Sequence, residues 1–160
     1  MARETGILLV CMGNICRSPT AHGVLRARVT AAGLQDRVRI DSAGTHGYHI
    51  GAAPDRRALA AAAERGYDLA DLRARQVRLE DFDLYDHILA MDRANLEALD
   101  SMAQRHGHPR GRVALFMEYA SEATGAEVPD PYYGGTNGFE RVLDLVEMGA
   151  DGLIRHLRQI

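Results

Sequence analysis

The stretch LLVCMGNICRSPTA, residues 8–21, joins an apolar run to a helix start and contains both cysteines of the chain. Residues 7–10 are typical of a buried strand, and Ser18 followed by Pro19 is a helix N-cap signal. A strand that turns directly into a helix is the first half of a parallel α/β unit. Cys11 therefore falls at the carboxyl end of the first strand, which is where the active sites of such sheets lie.

The alternation of strand and helix patterns continues along the chain. Three further apolar runs are typical of buried strands: 38–41, 87–91 and 113–116. Helical periodicity fills the intervals, and a last helical pattern follows a loop rich in Gly, Pro and Tyr at 119–137. This pattern predicts an α/β fold whose helices cover both faces of a parallel sheet. A length of 160 residues predicts a single domain over 1–160.

Composition and charge exclude several partners and settings. The formal net charge of −3 argues against nucleic acid as a partner. No stretch approaches the roughly 20 apolar residues that span a membrane, and the apolar run near the N-terminus is too short for a signal peptide. We therefore expect a cytoplasmic protein with no membrane partner. Two cysteines in a reducing compartment are candidates for chemistry or for plain burial rather than for a structural disulfide.

The spacing Cys11-x5-Arg17-Ser18 between a strand and a helix predicts an anion-binding loop. Backbone N–H groups that open onto a helix N-terminus form a cradle for a tetrahedral oxyanion, and Arg17 can add a bidentate fork. The same positive field and the Ser18 hydroxyl favour a thiolate at Cys11. Gly13 permits close approach of the backbone, and Asn14 tolerates positive φ. The loop is therefore suited to a cysteine nucleophile in a phosphate-shaped site.

Three other interpretations of the loop compete with this one. Cys11 could be a small buried hydrophobic residue, which is the common fate of an intracellular cysteine. Cys11, Cys16 and His22 could bind zinc, but no fourth cysteine is present. A Walker-type nucleotide loop is disfavoured because its glycine and lysine pattern is absent and the chain contains no lysine.

A thiolate that attacks a phosphate ester needs a proton donor for the leaving oxygen. Asp130 is the candidate, since Pro129 and Pro131 stiffen the backbone on both sides of it and two tyrosines follow. An Asp between prolines is by itself more often a turn residue. Its combination with the Cys-x5-Arg loop favours the general acid.

These segments resemble those of the low-molecular-weight protein tyrosine phosphatases. The resemblance covers nearly the whole chain, through VCMGNICRSPTA (10–21), DSAGTHGY (41–48), RARQV (73–77), MDRANL (91–96) and DPYYGG (130–135). It implies a single phosphatase domain with a four-stranded parallel sheet in the order 2-1-3-4 and a phosphate-binding loop after strand 1. It also implies two-step hydrolysis of phosphotyrosine in proteins without a metal or other cofactor.

The resemblance also implies roles for individual residues. Cys11 would attack phosphorus, Arg17 would bind the phosphoryl group, and Asp130 would act first as acid and then as base. Ser18 would stabilise the thiolate, and Asn14 and Ser42 would brace the loop. The phosphate-binding loop would comprise Met12, Gly13, Asn14, Ile15, Cys16 and Ser18, and the slot for the substrate ring would comprise Tyr48, Tyr132 and Tyr133.

The implied partners are phosphotyrosine proteins, with a cognate tyrosine kinase as a candidate, and inorganic phosphate as product and competitive inhibitor. Cys11 should oxidise readily, and Cys16 would then act as a redox partner that forms a disulfide with it, as relatives with this cysteine pair can.

One position departs from the family pattern. Members commonly have a histidine where this chain has Leu72, and that histidine holds the loop asparagine. Leu72 cannot form a hydrogen bond. Either the loop is less rigid here, or another group, such as one of the seven histidines, braces it.

Three rival functions are distinguishable by sequence. Arsenate reductases resemble the loop but use additional downstream cysteines, and none follows Cys16. Phosphoarginine phosphatases tend to have Thr where Ile15 stands and lack the paired tyrosines. A non-catalytic phosphate-binding protein has no use for a general acid, so Asp130 argues against it.

Overall fold

Four strands form one parallel sheet in the computed structural model, which describes residues 4–121, 123, 125–131 and 137–159. The strands are β1 (Thr5–Cys11), β2 (Val38–Gly44), β3 (His87–Ala90) and β4 (Arg112–Leu115). They lie in the order β2-β1-β3-β4, and each neighbouring pair is parallel. The α/β class, the single domain and the strand order implied by the family resemblance are therefore confirmed.

Within the described residues, five α-helices connect and follow the strands. They are α1 (Arg17–Ala31), α2 (Arg56–Glu64), α3 (Asp81–Leu84), α4 (Arg93–His106) and α5 (Gly138–Arg158), and a 3₁₀ turn covers Phe116–Tyr119. The four-residue α3 was not predicted, since one turn is too short to show helical periodicity. Helix α1 begins at Arg17 with Cys16 in the N-cap position, so the prediction of Ser18 as N-cap is wrong.

The two faces of β1 pack against different helices because side chains alternate along a strand. Ile7 and Leu9 belong to the larger core together with residues of α1 and α5. Leu8 and Val10 belong to a second core together with Phe82 of α3 and Leu99 of α4. Helices therefore cover both faces, as predicted.

Side-chain caps fix the start of two helices near the edge where the strands end. Asp55 accepts a hydrogen bond from the backbone N–H of Arg57 at the start of α2. Asp92 accepts one from Asn95 at the start of α4. Each such cap contributes about 1 kcal/mol to helix stability.

Among the described residues, no helix combines the length and apolar character needed to cross a membrane.

Candidate active site

The loop 12–16 joins the end of β1 to the start of α1 at the carboxyl edge of the sheet. It forms the floor of a cavity of about 300 Å³. The cavity is lined by Cys11, Met12, Gly13, Ile15, Cys16, Arg17, Tyr48, His49 and Asp130. The structure thus brings most of the predicted site residues together, although their catalytic roles stay predictions.

The sulfur of Cys11 receives two polar contacts in a buried position. The backbone N–H of Asn14 donates to Sγ at 3.3 Å, and the Ser18 hydroxyl lies 3.1 Å from the same atom. Ser18 Oγ accepts a hydrogen bond from the Asn14 side-chain amide at 2.7 Å, and its own hydrogen has two acceptors in reach, the Cys11 sulfur at 3.1 Å and the Ala43 carbonyl at 3.5 Å. Donors aimed at a sulfur favour its anionic form. These contacts suit Cys11 to act as a thiolate.

Asn14 holds the loop in an unusual backbone conformation, with a φ of 58°. Positive φ is uncommon outside glycine and is best tolerated by Asn. The side-chain amide secures it, since Nδ2 donates to Ser18 and Oδ1 accepts from the backbone N–H of Arg75 at 3.0 Å. Both polar atoms of the Asn14 side chain therefore have partners, although position 72 is a leucine.

Two other segments hold the backbone of the loop. The Asp55 amide donates to the Ile15 carbonyl at 2.8 Å, and the His46 amide donates to the Met12 carbonyl at 3.0 Å. A Cβ on Gly44 would lie only 2.6 Å from the Met12 carbonyl oxygen, so this close approach requires glycine. The loop is consequently fixed before any ligand binds.

The segment that braces Asn14 is itself fixed by ion pairs. Arg75 pairs with Asp41 at 3.0 Å and with the fully buried Asp81, also at 3.0 Å. Asp81 also accepts the backbone N–H of Arg78. Sequence reasoning assigned no role to Arg75 or Asp81, although the segment RARQV was one of the matched motifs.

Arg17 is buried and held by groups from two other segments. Its Nη1 donates to Asp92 Oδ2 at 2.6 Å and to the Val128 carbonyl at 3.1 Å, and its Nη2 lies 3.9 Å from Asp130 Oδ2. Burial lowers the pKa of Arg17, but the negative charges of Cys11, Asp92 and Asp130 outweigh it, so that the pKa lies above its ordinary value. The guanidinium therefore stays charged at the cavity floor.

Asp92 is a positioning residue that sequence reasoning missed. Its two carboxylate oxygens are divided between Arg17 and the N–H of Asn95 at the start of α4. The same residue thus begins a helix and aims the guanidinium. Its only sequence signal was its place in the segment MDRANL (91–96).

Cys16 lies in surroundings that disfavour a thiolate. It is packed in a small apolar cluster with Ala58 and Phe139. Burial raises the pKa of Cys16 to about 12, and the nearby charge of Asp55 adds to this rise. Both cysteines are free and buried, but they lie in different surroundings.

Ser42 was expected to brace the loop, and its hydroxyl contacts helix α1 instead. Its hydroxyl lies 3.0 Å from Nδ1 of the buried His22 on α1. Burial lowers the pKa of His22 to about 4, so the imidazole is neutral near pH 7. Any support that Ser42 gives to the loop passes through α1.

The described residues contain no group of three or more His, Cys, Asp and Glu side chains arranged to hold a metal ion.

The mouth of the cavity has an aromatic wall on one side. Tyr48 is 72% exposed and its ring is stacked on His46, with a centroid separation of 5.1 Å. His49 also lines the cavity and was not predicted. Tyr132 and Tyr133, the other predicted walls of the slot, lie outside the described residues.

The packing of Leu72 predicts the outcome of restoring the family histidine. Leu72 is partly buried against the main core, and both polar atoms of the Asn14 side chain already have partners. Leu72→His should therefore destabilise the protein by about 1 kcal/mol, lowering the melting temperature by about 3 °C, and leave inhibition by inorganic phosphate unchanged. Thermal melts and inhibition constants test this. Tighter phosphate inhibition at an unchanged melting temperature would show instead that the loop is under-braced.

Comparisons with known proteins agree with this geometry. The family described as low molecular weight phosphotyrosine protein phosphatase matches residues 6–160. The low molecular weight protein-tyrosine-phosphatase of Streptomyces coelicolor is 43% identical over 155 residues, which cover 96% of this chain and 93% of the relative.

Solved structures show the same fold. A protein tyrosine phosphatase from Entamoeba histolytica superimposes with a TM-score of 0.89 at 35% identity, covering 98% of each chain. A Drosophila arginine phosphatase superimposes with a TM-score of 0.86 at 29% identity, covering 94% of this chain and 96% of that one. The fold alone is thus common to both kinds of phosphatase, and the family match and curated relatives decide between them. The chain belongs to the low molecular weight phosphotyrosine protein phosphatase family and is a protein-tyrosine phosphatase.

Proposed function

We propose that the chain hydrolyses phosphotyrosine in proteins through a cysteinyl-phosphate intermediate on Cys11. The observation that supports this most is the pair of donors, Asn14 N–H and the Ser18 hydroxyl, aimed at Cys11 Sγ on the cavity floor. The thiolate attacks phosphorus, the S–P bond forms, and the bond from phosphorus to the tyrosyl oxygen breaks. A positioned thiolate nucleophile divides a difficult hydrolysis into two easier transfers.

Arg17 stabilises the charge that spreads over the phosphoryl oxygens during both transfers. Its Nη1 is already committed to Asp92 and the Val128 carbonyl. The guanidinium is therefore held in place before the substrate arrives, and such preorganised donors are the largest source of stabilisation in many transition states.

Asp130 supplies the proton for the tyrosyl oxygen in the first transfer. In the second transfer the same carboxylate takes a proton from the water that attacks the cysteinyl phosphate. Its position at the cavity wall, 3.9 Å from Arg17 Nη2, places a carboxylate beside the phosphoryl site and supports this role. The products are a protein tyrosine and inorganic phosphate, which should compete with substrate for the loop.

The substrate ring occupies the space above the loop. Tyr48 offers one exposed aromatic face, and Ile15 adds an apolar lining. Flat apolar and aromatic walls suit an aryl ring. The phosphotyrosine side chain of a protein fits this cavity. A cognate tyrosine kinase is the enzyme that would supply such a substrate.

Hydrolysis of p-nitrophenyl phosphate in the presence of EDTA tests the proposal. We expect full activity with the chelator and competitive inhibition by inorganic phosphate. Activity that disappears with EDTA and returns with a divalent cation would contradict the proposed chemistry.

Peroxide should inactivate the enzyme reversibly through the two loop cysteines. The Cys11 thiolate is oxidised by peroxide to a sulfenic acid with release of hydroxide, and the Cys16 thiol then displaces water to form a disulfide. Because the Cys16 thiol is protonated near neutral pH, this second step should accelerate as the pH rises. Dithiothreitol should restore wild-type activity, and phosphate should protect it.

Cys16→Ser is the matched control for this prediction. It should retain most activity but lose the recovery, since Cys11 is then oxidised irreversibly. Intact mass spectrometry should show the loss of two hydrogens in the wild type and added oxygen in the variant. Equal recovery of both proteins would show that Cys16 is only a packing residue.

A further inference from the structure

The segment that leads to Asp130 is joined to the start of α4 by two reciprocal hydrogen bonds. The backbone N–H of Arg93 donates to Glu127 Oε2 at 2.7 Å. The Arg93 guanidinium donates in return to the Gly125 carbonyl at 3.0 Å. Helix α4 already has its N-cap in Asp92, so the Glu127 bond is not needed to begin the helix. The Glu127 hydrogen bond instead holds the segment 125–128 against the start of α4.

This segment leads directly into the catalytic groups. Val128 follows Glu127, is fully buried, and donates its N–H to the Met91 carbonyl at 2.8 Å. The Val128 carbonyl accepts Arg17 Nη1 at 3.1 Å. Asp130 comes two residues later, after Pro129, whose ring fixes φ and so transmits the direction of the segment.

We propose that Glu127 is a positioning residue for the general acid. Its carboxylate, bound to the N-terminal amide of α4, sets the direction from which the chain reaches Asp130 and so holds the Asp130 carboxylate near Arg17. A carboxylate at a helix N-terminus is favoured by the helix dipole as well as by the hydrogen bond. The proposal rests on the acid role of Asp130 given above.

We expect the Glu127 carboxylate to contribute little to the stability of the fold. Its side chain is exposed, whereas Val128 provides the apolar anchor of the same segment. Removal of the carboxylate should therefore leave the protein folded and disturb the placement of Asp130. Small displacements of a catalytic group have large effects on rate.

The test compares kcat/KM for p-nitrophenyl phosphate, whose leaving group is good, with that for phenyl phosphate, whose leaving group needs a proton. Glu127→Ala should lower kcat/KM about fivefold on phenyl phosphate and less than about twofold on p-nitrophenyl phosphate. Glu127→Gln, which keeps an oxygen acceptor, should recover most of the loss. Glu97→Ala, which removes an exposed carboxylate from the same helix, should change neither rate.

Several results would overturn the proposal. Equal losses on both substrates, or none, would show that Glu127 does not act through the acid. Equal losses in Glu127→Ala and Glu127→Gln would assign the effect to charge rather than to the hydrogen bond. Asp130→Asn, measured in parallel, separates a failure of the acid role of Asp130 from a failure of the positioning role of Glu127. If Asp130→Asn loses the same activity on both substrates, the acid role fails and the positioning role fails with it. If Asp130→Asn loses more on phenyl phosphate but Glu127→Ala does not, only the positioning role fails.

Discussion

Cys11→Ser should abolish hydrolysis of p-nitrophenyl phosphate, with a loss of at least about 10⁴-fold in kcat, as expected when a nucleophile is removed from a set of residues that acts as a unit. A serine hydroxyl remains protonated near pH 7, and no base in the described part of the site stands in hydrogen-bond contact with Cys11 Sγ to activate it. The substitution changes one atom, so the loop and its hydrogen bonds should persist.

Far-ultraviolet circular dichroism and a thermal melt should show that the Cys11→Ser protein is folded. Cys16→Ser is the matched control, since it makes the same change of sulfur to oxygen in the same loop and should keep most activity. Substantial activity in folded Cys11→Ser protein would remove the assignment of the nucleophile.

Arg17→Ala should also be inactive, but it is a less clean test. Arg17 is buried and paired with Asp92, and removing it leaves that carboxylate without its guanidinium. Loss of one partner of a buried ion pair costs about 3–5 kcal/mol. Although the position of Arg17 in a loop motif suggests a residue outside the core, the structure shows that it also stabilises the fold.

Asp130→Asn should slow hydrolysis of phosphotyrosine peptides by roughly 100-fold, within the usual range for acid–base catalysis. Asn has nearly the same shape as Asp but cannot donate the proton. The loss should be largest for a basic leaving group and smaller for the first transfer from p-nitrophenyl phosphate, whose phenolate leaves without help.

Burst kinetics must isolate that first transfer, because Asp130 also acts as base in the second one. The natural control is Asp100→Asn, which makes the same change at an exposed carboxylate of α4. Equal losses on tyrosyl and nitrophenyl substrates in Asp130→Asn would contradict the acid role.

The sequence was sufficient to predict the layered fold because local periodicity records it directly. The apolar runs are local signals, and the structure has its four strands at those places. The strand order was available only through the family resemblance, since periodicity does not specify which strands are neighbours. Ser18 was mistaken for an N-cap because its hydroxyl, which could cap a helix, instead contacts the Cys11 sulfur.

The site residues were predictable where a local pattern marks them, as in the loop and at Asp130 between two prolines, and the distant groups that hold them were not. The residues of the Cys-x5-Arg loop follow one another in sequence, and their spacing was sufficient to predict the loop. Asp92 lies 75 residues from Arg17, and the Arg75 amide lies 61 residues from Asn14. No spacing rule connects such pairs, because the sheet and its loops bring them together.

Detection of the phosphoenzyme tests the central claim most directly. Wild-type enzyme reacting with p-nitrophenyl phosphate should be quenched in acid within the first turnover and measured by intact mass spectrometry, followed by peptide mapping. We predict the added mass of one phosphoryl group, located on the peptide that contains Cys11 and absent from the Cys11→Ser protein. Turnover without any such adduct, or an adduct that persists in Cys11→Ser, would contradict the cysteinyl-phosphate mechanism.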